Sequence, residues 1–356
     1  MTTREMRWFR TGADRRNSCR MDVEGPGKGE VVQRVTISQP SGEGSTRGAV
    51  VVDAEGRLLV LANQTITAVT LRGEVAWAVR VREPSGRDLR SWSPPIAMPD
   101  GHCAFTTREH LHVLDGDGHV AQQVDLGFQA DDTGYSPNLT HEGELVLTGI
   151  MGEVVVVERG GAVRRVWEQG GCDIVPPVIY PDGSLGLCGY SSLGYRRVLP
   201  SGVALWASGV PDADLLPCLS ERGVVAFGET NTGLSHLFDA EGTRLGTLAG
   251  EALFADAGQG RFVAVGREQV QLVDAGGAVL WRHDLPPDER KAWYRLPAID
   301  GTATAFVADR GHVEALELET GRTRWSLALP GLTSGVTLLG DGLGAVVQGG
   351  DLLLVR

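Results

Sequence analysis

The chain has 356 residues with 33 basic and 45 acidic side chains, which gives a formal net charge of -12 at pH 7. This charge opposes nonspecific attraction to nucleic acid and to anionic lipid, so neither is an expected partner. Because 42% of the residues are hydrophobic, the 49 glycines and 17 prolines indicate dense turns in a folded protein and exclude a disordered chain.

The N-terminal region is rich in arginine between residues 1 and 20 and lacks the apolar stretch of a secretory signal. The five cysteines of the chain include no adjacent pair and no Cys-x-x-Cys motif, which is typical of reduced thiols. No apolar run approaches 18 residues, so no membrane span is predicted. These features together predict a cytoplasmic protein.

A turn that ends in glycine recurs along the chain at spacings of 37 to 45 residues. The eight glycines of this series are Gly56, Gly101, Gly143, Gly183, Gly223, Gly260, Gly301 and Gly342. Runs of β-branched and aromatic residues between the turns are typical of strands, and no stretch has a sustained helical period. A period near 40 residues with several strands in each unit predicts one four-stranded antiparallel sheet, or blade, per repeat.

A second series places glycine four residues before tryptophan near the end of most units. It comprises Gly73/Trp77, Gly202/Trp206, Gly277/Trp281 and Gly321/Trp325, with Gly161 and Trp167 as a looser copy. A periodic aromatic residue is explained by the repeat itself, so we interpret these tryptophans as packing residues of the outer strands.

The last unit supplies three strands before the chain ends, and its missing outer strand has a counterpart near the N-terminus. The segment Gly29–Val35 parallels Gly73–Val79. We therefore predict an all-β, eight-bladed propeller in which residues 29–38 close the last blade, leaving no long unpaired edge. Residues 1–356 form a single domain in this interpretation, and residues 1–28 form an extension that packs on the ring.

The turns also carry a family resemblance. Ser93-Pro94-Pro95 with Pro99-Asp100-Gly101, and Val175-Pro176-Pro177 with Pro181-Asp182-Gly183, followed by Gly-x-x-x-Trp, resemble the PQQ-like (quinoprotein-type) propeller repeat. The resemblance implies a fold shared by dehydrogenases, assembly scaffolds and sensor domains. Family members that use PQQ have a vicinal disulfide and a calcium ion, and this chain has no Cys-Cys pair. We therefore expect no cofactor and no metal site.

Residues that the blade does not need are the best guide to a binding site. Two loop sets share one face of the predicted ring, namely the loops that enter each inner strand and the loops between second and third strands. We call it the loop-rich face. The candidate ligand-binding residues on it are Arg90, Trp92, Asp131, Asp132, Tyr135, Asp173, Tyr190, Glu229, Trp293, Tyr294 and Arg295.

Aromatic, arginine and carboxylate side chains in one place suit a pocket for a polar or aromatic small molecule, and they equally suit a protein-binding surface. We expect a noncatalytic binding or scaffold protein that uses the loop-rich face. The alternative is a cofactor-independent enzyme, of the lyase, isomerase or cyclase type, acting on a small metabolite in the central funnel. The sequence leaves open whether the protein is catalytic, which ligand or partner it binds, and its oligomeric state.

Overall fold

The computed structural model describes residues 8–37, 48–62, 65–80, 93–130, 135–168, 174–189, 194–285, 295–309 and 311–356. These residues form eight separate four-stranded antiparallel sheets. The predicted all-β, eight-bladed propeller is therefore confirmed. We number the blades 1 to 8 in chain order. The treatment of residues 1–356 as one domain stays a prediction.

Blades 1 to 4 each run from an inner to an outer strand in chain order. Their strands are β2 (Ala49–Val52), β3 (Leu58–Ala62), β4 (Thr65–Val69) and β5 (Val75–Val79); β6 (Ile96–Ala97), β7 (Cys103–Thr106), β8 (His110–Leu114) and β9 (Val120–Asp125); β10 (Asn138–Leu139), β11 (Leu145–Thr148), β12 (Glu153–Val157) and β13 (Val163–Glu168); β14 (Ile174–Ile179), β15 (Leu185–Gly189), β16 (Gly194–Val198) and β17 (Ala204–Ala207).

Blades 5 to 7 repeat this order, and blade 8 takes its outer strand from the start of the chain. Their strands are β18 (Cys218–Leu219), β19 (Val225–Glu229), β20 (Leu234–Phe238) and β21 (Arg244–Ala249); β22 (Leu253–Gly258), β23 (Arg261–Val265), β24 (Gln269–Asp274) and β25 (Val279–Asp284); β26 (Ala298–Ile299), β27 (Thr304–Asp309), β28 (His312–Glu317) and β29 (Thr323–Ala328); β30 (Thr337–Gly340), β31 (Leu343–Gln348), β32 (Asp351–Val355) and β1 (Val31–Thr36).

The ring closes through blade 8, where β1 pairs antiparallel with β32. Gln33 lies opposite Leu354, and Val35 lies opposite Leu352. The predicted closure by the N-terminal strand is thus confirmed. Blade 8 therefore has the strand order β30-β31-β32-β1 from inside to outside, and its outer strand comes from the other end of the described chain.

Apolar side chains fill the spaces between neighbouring blades. One cluster joins Val154 and Val156 of blade 3 to Leu185, Leu187 and Val198 of blade 4. Buried strands of this kind read as nearly continuous apolar runs because both faces of each blade are covered. The outer strands instead alternate between exposed and half-buried residues, since only one edge of each blade meets solvent.

The glycines that end the inner turns adopt the backbone conformation that turns require. Seven of the eight have φ between +71° and +87°, the exception being Gly301. A β-carbon on Gly301 would lie 2.6 Å from Oδ1 of Asp22, so this glycine is needed for close approach of the N-terminal segment. The predicted glycine series is thus present in the turns, but Gly301 is required by close packing and not by a positive φ.

In blades 1, 4, 6 and 7 the tryptophan of the outer strand hydrogen-bonds to the next blade or, for Trp325, to the N-terminal segment. Nε1 of Trp281 donates a hydrogen bond of 2.7 Å to the Leu318 carbonyl of the following blade. A β-carbon on Gly321 would lie 2.6 Å from Cε3 of Trp281, so glycine is required where the indole ring lies. The same contact joins Trp325 to Gly29 and therefore takes part in closing the ring. The packing interpretation of the series explains why glycine and tryptophan repeat together.

Candidate functional site

One end of the central channel is occupied by residues 8–28, which we call the N-terminal segment. Its backbone carbonyls accept hydrogen bonds of 2.7 to 3.1 Å from amides at the ends of inner strands or in the inner turns. The donor and acceptor residues are Val52 to Trp8, Ala97 to Phe9, Ile179 to Arg15, Leu219 to Arg16, Asp256 to Ser18, Ile299 to Cys19, Gly301 to Val23 and Gly342 to Glu24. The segment therefore follows the ring on the face of the inner turns, opposite the loop-rich face.

Blade 3 is held by side chains of this segment. Arg10 is fully buried and donates from Nε to the Pro137 carbonyl at 2.9 Å and from Nη2 to the Ser136 carbonyl at 2.8 Å. Burial lowers the pKa of Arg10 to about 9, while the charge of Asp14 acts in the opposite direction. With blade 3 included, the segment contacts every blade.

Much of the N-terminal segment is buried against the ring. Phe9, Asn17, Ser18 and Cys19 are at most 5% exposed. The same face also has a pocket of about 820 Å³, lined by Trp8, Arg20 and Met21 of the segment and by Val52 and Asp341 of the ring. The sequence did not indicate this arrangement.

The structure describes three of the predicted site residues. Tyr135 is 4% exposed and packs in an apolar cluster with Val175 and Tyr180. Arg295 is half-buried and donates from Nη2 to the Leu332 carbonyl. Glu229 is buried at the end of β19. The assignment of these three residues to a ligand site stays a prediction. The other candidates lie outside the described residues, namely Arg90, Trp92, Asp131, Asp132, Asp173, Tyr190, Trp293 and Tyr294.

Glu229 forms a buried pair with His236, whose Nε2 lies 3.1 Å from Oε2 of the carboxylate. The ring of His236 packs against Phe227 with centroids 5.7 Å apart. Burial lowers the pKa of His236, although Glu229 favours its charged form. Within the described part of the chain, Oε1 of Glu229 and Nδ1 of His236 have no hydrogen-bond partner. The pair therefore has two buried acceptor positions when the imidazole is neutral and donates from Nε2.

The sequence analysis selected Glu229 from its loop position but did not identify His236 as its partner. The two residues are on adjacent strands, β19 and β20, which pair in the register Glu229 to Leu234. His236 is two residues beyond Leu234 and therefore lies on the same face of the sheet as Glu229. The alternation of side chains along β20 could thus have identified His236 as the partner.

Loops around this pair are bonded to one another. Asp214 accepts a hydrogen bond of 3.0 Å from the Thr230 amide and another from the Thr230 hydroxyl. Nδ2 of Asn231 donates to Oδ2 of Asp212 at 2.8 Å. The loop that enters blade 5 is thereby fastened to the loop between its second and third strands, which gives this part of the face a fixed shape.

A pocket of about 460 Å³ lies between blades 5 and 6 on the loop-rich face. Its wall includes residues of both loop sets and the strand residue Gln271. Glu251 and Arg267, which also line the pocket, form an ion pair. The two loop sets do share one face here, as the chain direction predicted.

A metal-binding arrangement and a membrane-spanning helix are not found among the residues that the structure describes. No three His, Cys, Asp or Glu side chains come together there in a group that could hold a metal ion. In the same residues no helix is both long and apolar enough to cross a bilayer.

Comparison with known proteins supports the repeat family. Residues 266–356, about a quarter of the chain, match the PQQ_2 family model, described as outer membrane protein assembly factor BamB. The predicted PQQ-like repeat is thereby confirmed. No curated protein sequence matches the chain significantly.

Solved structures extend the similarity in fold to most of the chain. The computationally designed Ika8 protein is 12% identical, with a TM-score of 0.69 and coverage of 92% of this chain and 100% of its own. BamB from Moraxella catarrhalis is 14% identical, with a TM-score of 0.63 and coverage of 91% and 98%. A streptogramin B lyase is 11% identical, with a TM-score of 0.57 and coverage of 90% and 96%. At these identities the similarity concerns the propeller fold, which hosts both assembly factors and enzymes.

Proposed function

We propose that this protein is a noncatalytic binding module that holds a partner protein on its loop-rich face. The observation that carries the proposal is that three charged residues of this face hold loops together. Asp214 is bonded to Thr230, Glu251 to Arg267, and Arg295 to a backbone carbonyl. Such contacts fix loops in place, and a surface that is rigid before binding loses less entropy when a partner docks.

The position of the N-terminal segment agrees with the same proposal. The segment bonds to the inner strands at the inner-turn face, so we expect the partner on the opposite, loop-rich face. The partial match to the BamB family model supports a protein partner, since that family is described as an assembly factor. A partner of this kind, and not nucleic acid or membrane, also agrees with the net charge of -12.

A photo-crosslinking amino acid placed on each face in turn tests the proposal in the native host. Asn231 is an exposed position on the loop-rich face, and Glu55 is an exposed position in an inner turn of the opposite face. We expect one dominant protein adduct from Asn231 and none from Glu55. The adduct should be lost when an excess of unlabelled purified protein competes. Equal adducts from both positions, or none from Asn231, would contradict the proposal.

We also propose that the protein acts in the cytoplasm. Cys19, Cys103, Cys188 and Cys218 are buried free thiols in the described chain, and burial raises the pKa of each. Such thiols suit a reducing compartment. Fractionation of the native host should recover the protein with the cytoplasmic markers, and recovery with exported proteins would reject this location.

A catalytic role is the second candidate, and the pair of Glu229 and His236 is the observation that favours it. A neutral imidazole held by a carboxylate is an arrangement that general bases use, because the carboxylate orients the ring and stabilises its protonated form. In this candidate Nδ1 of His236 would accept the proton and Glu229 would hold the ring.

Quinupristin offers a direct test, because it is the compound bound to a catalytically inactive virginiamycin B lyase from Staphylococcus aureus of the same fold. Mass spectrometry would detect its conversion by the purified protein. A conversion that is lost in His236→Gln and kept in the control His312→Gln, at an exposed histidine, would support the catalytic candidate. Intact quinupristin together with crosslinking at Asn231 would favour the binding module.

A further inference from the structure

The pocket of about 820 Å³ on the inner-turn face lies between the N-terminal segment and blades 8, 1 and 2. Trp8 and Met21 line it from the segment, and both are buried. Leu71 of blade 1, which is 48% exposed, and Leu339 of blade 8 line it from the ring. These apolar side chains give a small molecule a surface to pack on, and the volume lies in the range of small-molecule sites.

The indole of Trp8 has an N–H group that the described protein does not use. Trp8 is 5% exposed, and its Nε1 makes no hydrogen bond with any described residue. The indole of Trp281, in contrast, donates to a backbone carbonyl at 2.7 Å. Nε1 of Trp8 is also not one of the described side-chain atoms that are both sealed from solvent and unpaired. The N–H is therefore reachable from the pocket that the ring lines, and it offers a donor to a ligand.

Three residues of the pocket hold a left-handed backbone conformation without being glycine. Trp8 has φ of +48°, Ala13 of +70° and Asp341 of +54°. This conformation is unfavourable for a residue as large as tryptophan, and it persists only where surrounding contacts impose it. The Trp8 carbonyl accepts a hydrogen bond of 2.9 Å from the Val52 amide, which fixes the residue beside blade 1. Strained positions of this kind cluster at ligand sites, which supports a binding role for the pocket.

Two carboxylates of the pocket are already paired within the protein. Oδ2 of Asp14 lies 3.2 Å from Nη2 of Arg16, and Oδ2 of Asp53 lies 2.7 Å from Nε of Arg57. Oδ1 of Asp53 also accepts the Arg57 amide at 2.8 Å. These bonds hold turns of the segment and of blade 1, so these two carboxylates are not available to a ligand.

Arg20, which also lines the pocket, is used by a buried carboxylate. Its guanidinium lies against Gly258, whose amide donates to Oδ1 of Asp256 at 2.9 Å. Burial raises the pKa of Asp256, and the charge of Arg20 acts in the opposite direction. An anionic ligand would therefore have to compete with Asp256 for Arg20.

Asp22 and Asp341 give the pocket an unbalanced negative charge. Asp22 belongs to the segment, and Asp341 belongs to the inner turn of blade 8. Both are exposed, and within the described chain neither carboxylate takes part in an ion pair or a hydrogen bond. Because carboxylates attract cations and repel anions, the pocket favours a positively charged ligand.

We infer that this pocket binds a small apolar molecule that carries an amine cation and, next to it, a hydrogen-bond acceptor. The cation is placed by Asp22 and Asp341, and the acceptor receives the N–H of Trp8. The apolar part packs on Met21 and Leu339. An α-amino amide with an aliphatic side chain has this chemistry. The inference does not depend on the proposed partner protein, which is expected on the opposite face.

Three probes separate the features of the ligand in saturation-transfer NMR titrations. Leucinamide carries the amine, the acceptor and the aliphatic chain, and at about pH 6.5 its amine is mostly protonated because α-amines have a pKa near ~8. N-acetylleucinamide lacks the charge, and 3-methylbutylamine lacks the acceptor. The dissociation constant of leucinamide should be at least fivefold lower than that of N-acetylleucinamide and at least twofold lower than that of 3-methylbutylamine.

A double variant tests the two carboxylates. Asp22→Asn with Asp341→Asn removes both charges, and asparagine tolerates the left-handed backbone at residue 341. This variant should raise the dissociation constant of leucinamide at least fivefold. The control is Asp117→Asn with Glu241→Gln, which removes the same charge from exposed outer turns that do not line the pocket. The control should leave the dissociation constant unchanged.

Trp8→Phe tests the indole N–H, because it keeps an aromatic ring and removes the donor. It should raise the dissociation constant of leucinamide at least twofold and leave that of 3-methylbutylamine unchanged. Thermal melting shows whether each variant is folded. Equal binding of leucinamide and N-acetylleucinamide, an equal effect of the two double variants, or no binding of either amine to the wild type would overturn the inference. None of these results would affect the crosslinking test at Asn231.

Discussion

The contact between glycine and tryptophan at successive blades makes a quantitative prediction for Gly321→Ala. Gly321 has φ of +69°, and an added β-carbon would lie 2.6 Å from Cε3 of Trp281. The left-handed conformation costs an alanine about 1–2 kcal/mol, and overpacking against a ring held by its own hydrogen bond costs a further ~1–3 kcal/mol. We expect the free energy of unfolding to fall by roughly 2–5 kcal/mol.

Gly183→Ala is the matched control. Gly183 has φ of +81°, but a β-carbon there would meet no atom within 4 Å. The free energy of unfolding of Gly183→Ala should therefore fall only by the conformational cost, about 1–2 kcal/mol. The difference between the two variants isolates the contact with Trp281.

A double-mutant cycle completes the test. Trp281→Ala alone removes a half-buried ring and its hydrogen bond, which costs roughly 2–4 kcal/mol. In that background Gly321→Ala should cost no more than Gly183→Ala, because the ring that it would strike is absent. The measurement is urea unfolding followed by circular dichroism. If the effects of the two substitutions add to within about 0.5 kcal/mol, or if Gly321→Ala resembles Gly183→Ala, the steric explanation is wrong.

Three further predictions concern the N-terminal segment and the buried pair. Removal of residues 1–37 should abolish cooperative unfolding, because it takes away β1 and the contacts with every blade; a peptide of residues 8–37 added separately should restore it, and an unchanged midpoint without the peptide would contradict the closure. Arg10→Met should lose about 2–4 kcal/mol in urea unfolding, since two buried carbonyls lose their donor, and a loss below about 0.5 kcal/mol would contradict this role. His236 has a lowered pKa in the folded protein, so stability should fall as the pH drops through about 6.5, where the unfolded histidine takes up its proton. The His236→Gln variant should lose less stability than the wild type between about pH 7.5 and 5.5, and an equal loss would reject the assignment.

The blades and their closure could be predicted because their signals are local and repeated. A turn that needs positive φ selects glycine, and an outer strand that packs on the next blade selects tryptophan, so both residues recur with the length of the repeat. Gly29 and Gln33 continue that spacing at the other end of the chain, which was sufficient to identify β1. Where tryptophan is displaced the contact changes as well. Trp167, six residues after Gly161, has no hydrogen-bond partner for its Nε1 among the described residues.

The path of the N-terminal segment could not be predicted in this way. Arg10 donates to Pro137, which is 127 residues away, and Asn17 donates to Pro217, which is 200 residues away. Each of these contacts occurs once and has no period that would identify it. The sequence predicted only an extension that packs on the ring.

The site was predicted less completely than the fold because its residues depend on single side-chain contacts. Glu229 was selected from a loop, but its buried contact is with His236, which a sequence pattern does not distinguish from His112 at the same strand position in blade 2.

The order of synthesis has a consequence for how this ring is assembled. Apart from bonds within residues 8–28, the groups that bind this segment belong to residues translated later, and β1 pairs with a strand at residues 351–355. The first part of the nascent chain therefore leaves the ribosome before its binding positions exist. Blades can form one after another during translation, but the contacts of residues 8–28 with all eight blades and the pairing of β1 with β32 can be completed only after residues 351–355 have been synthesised.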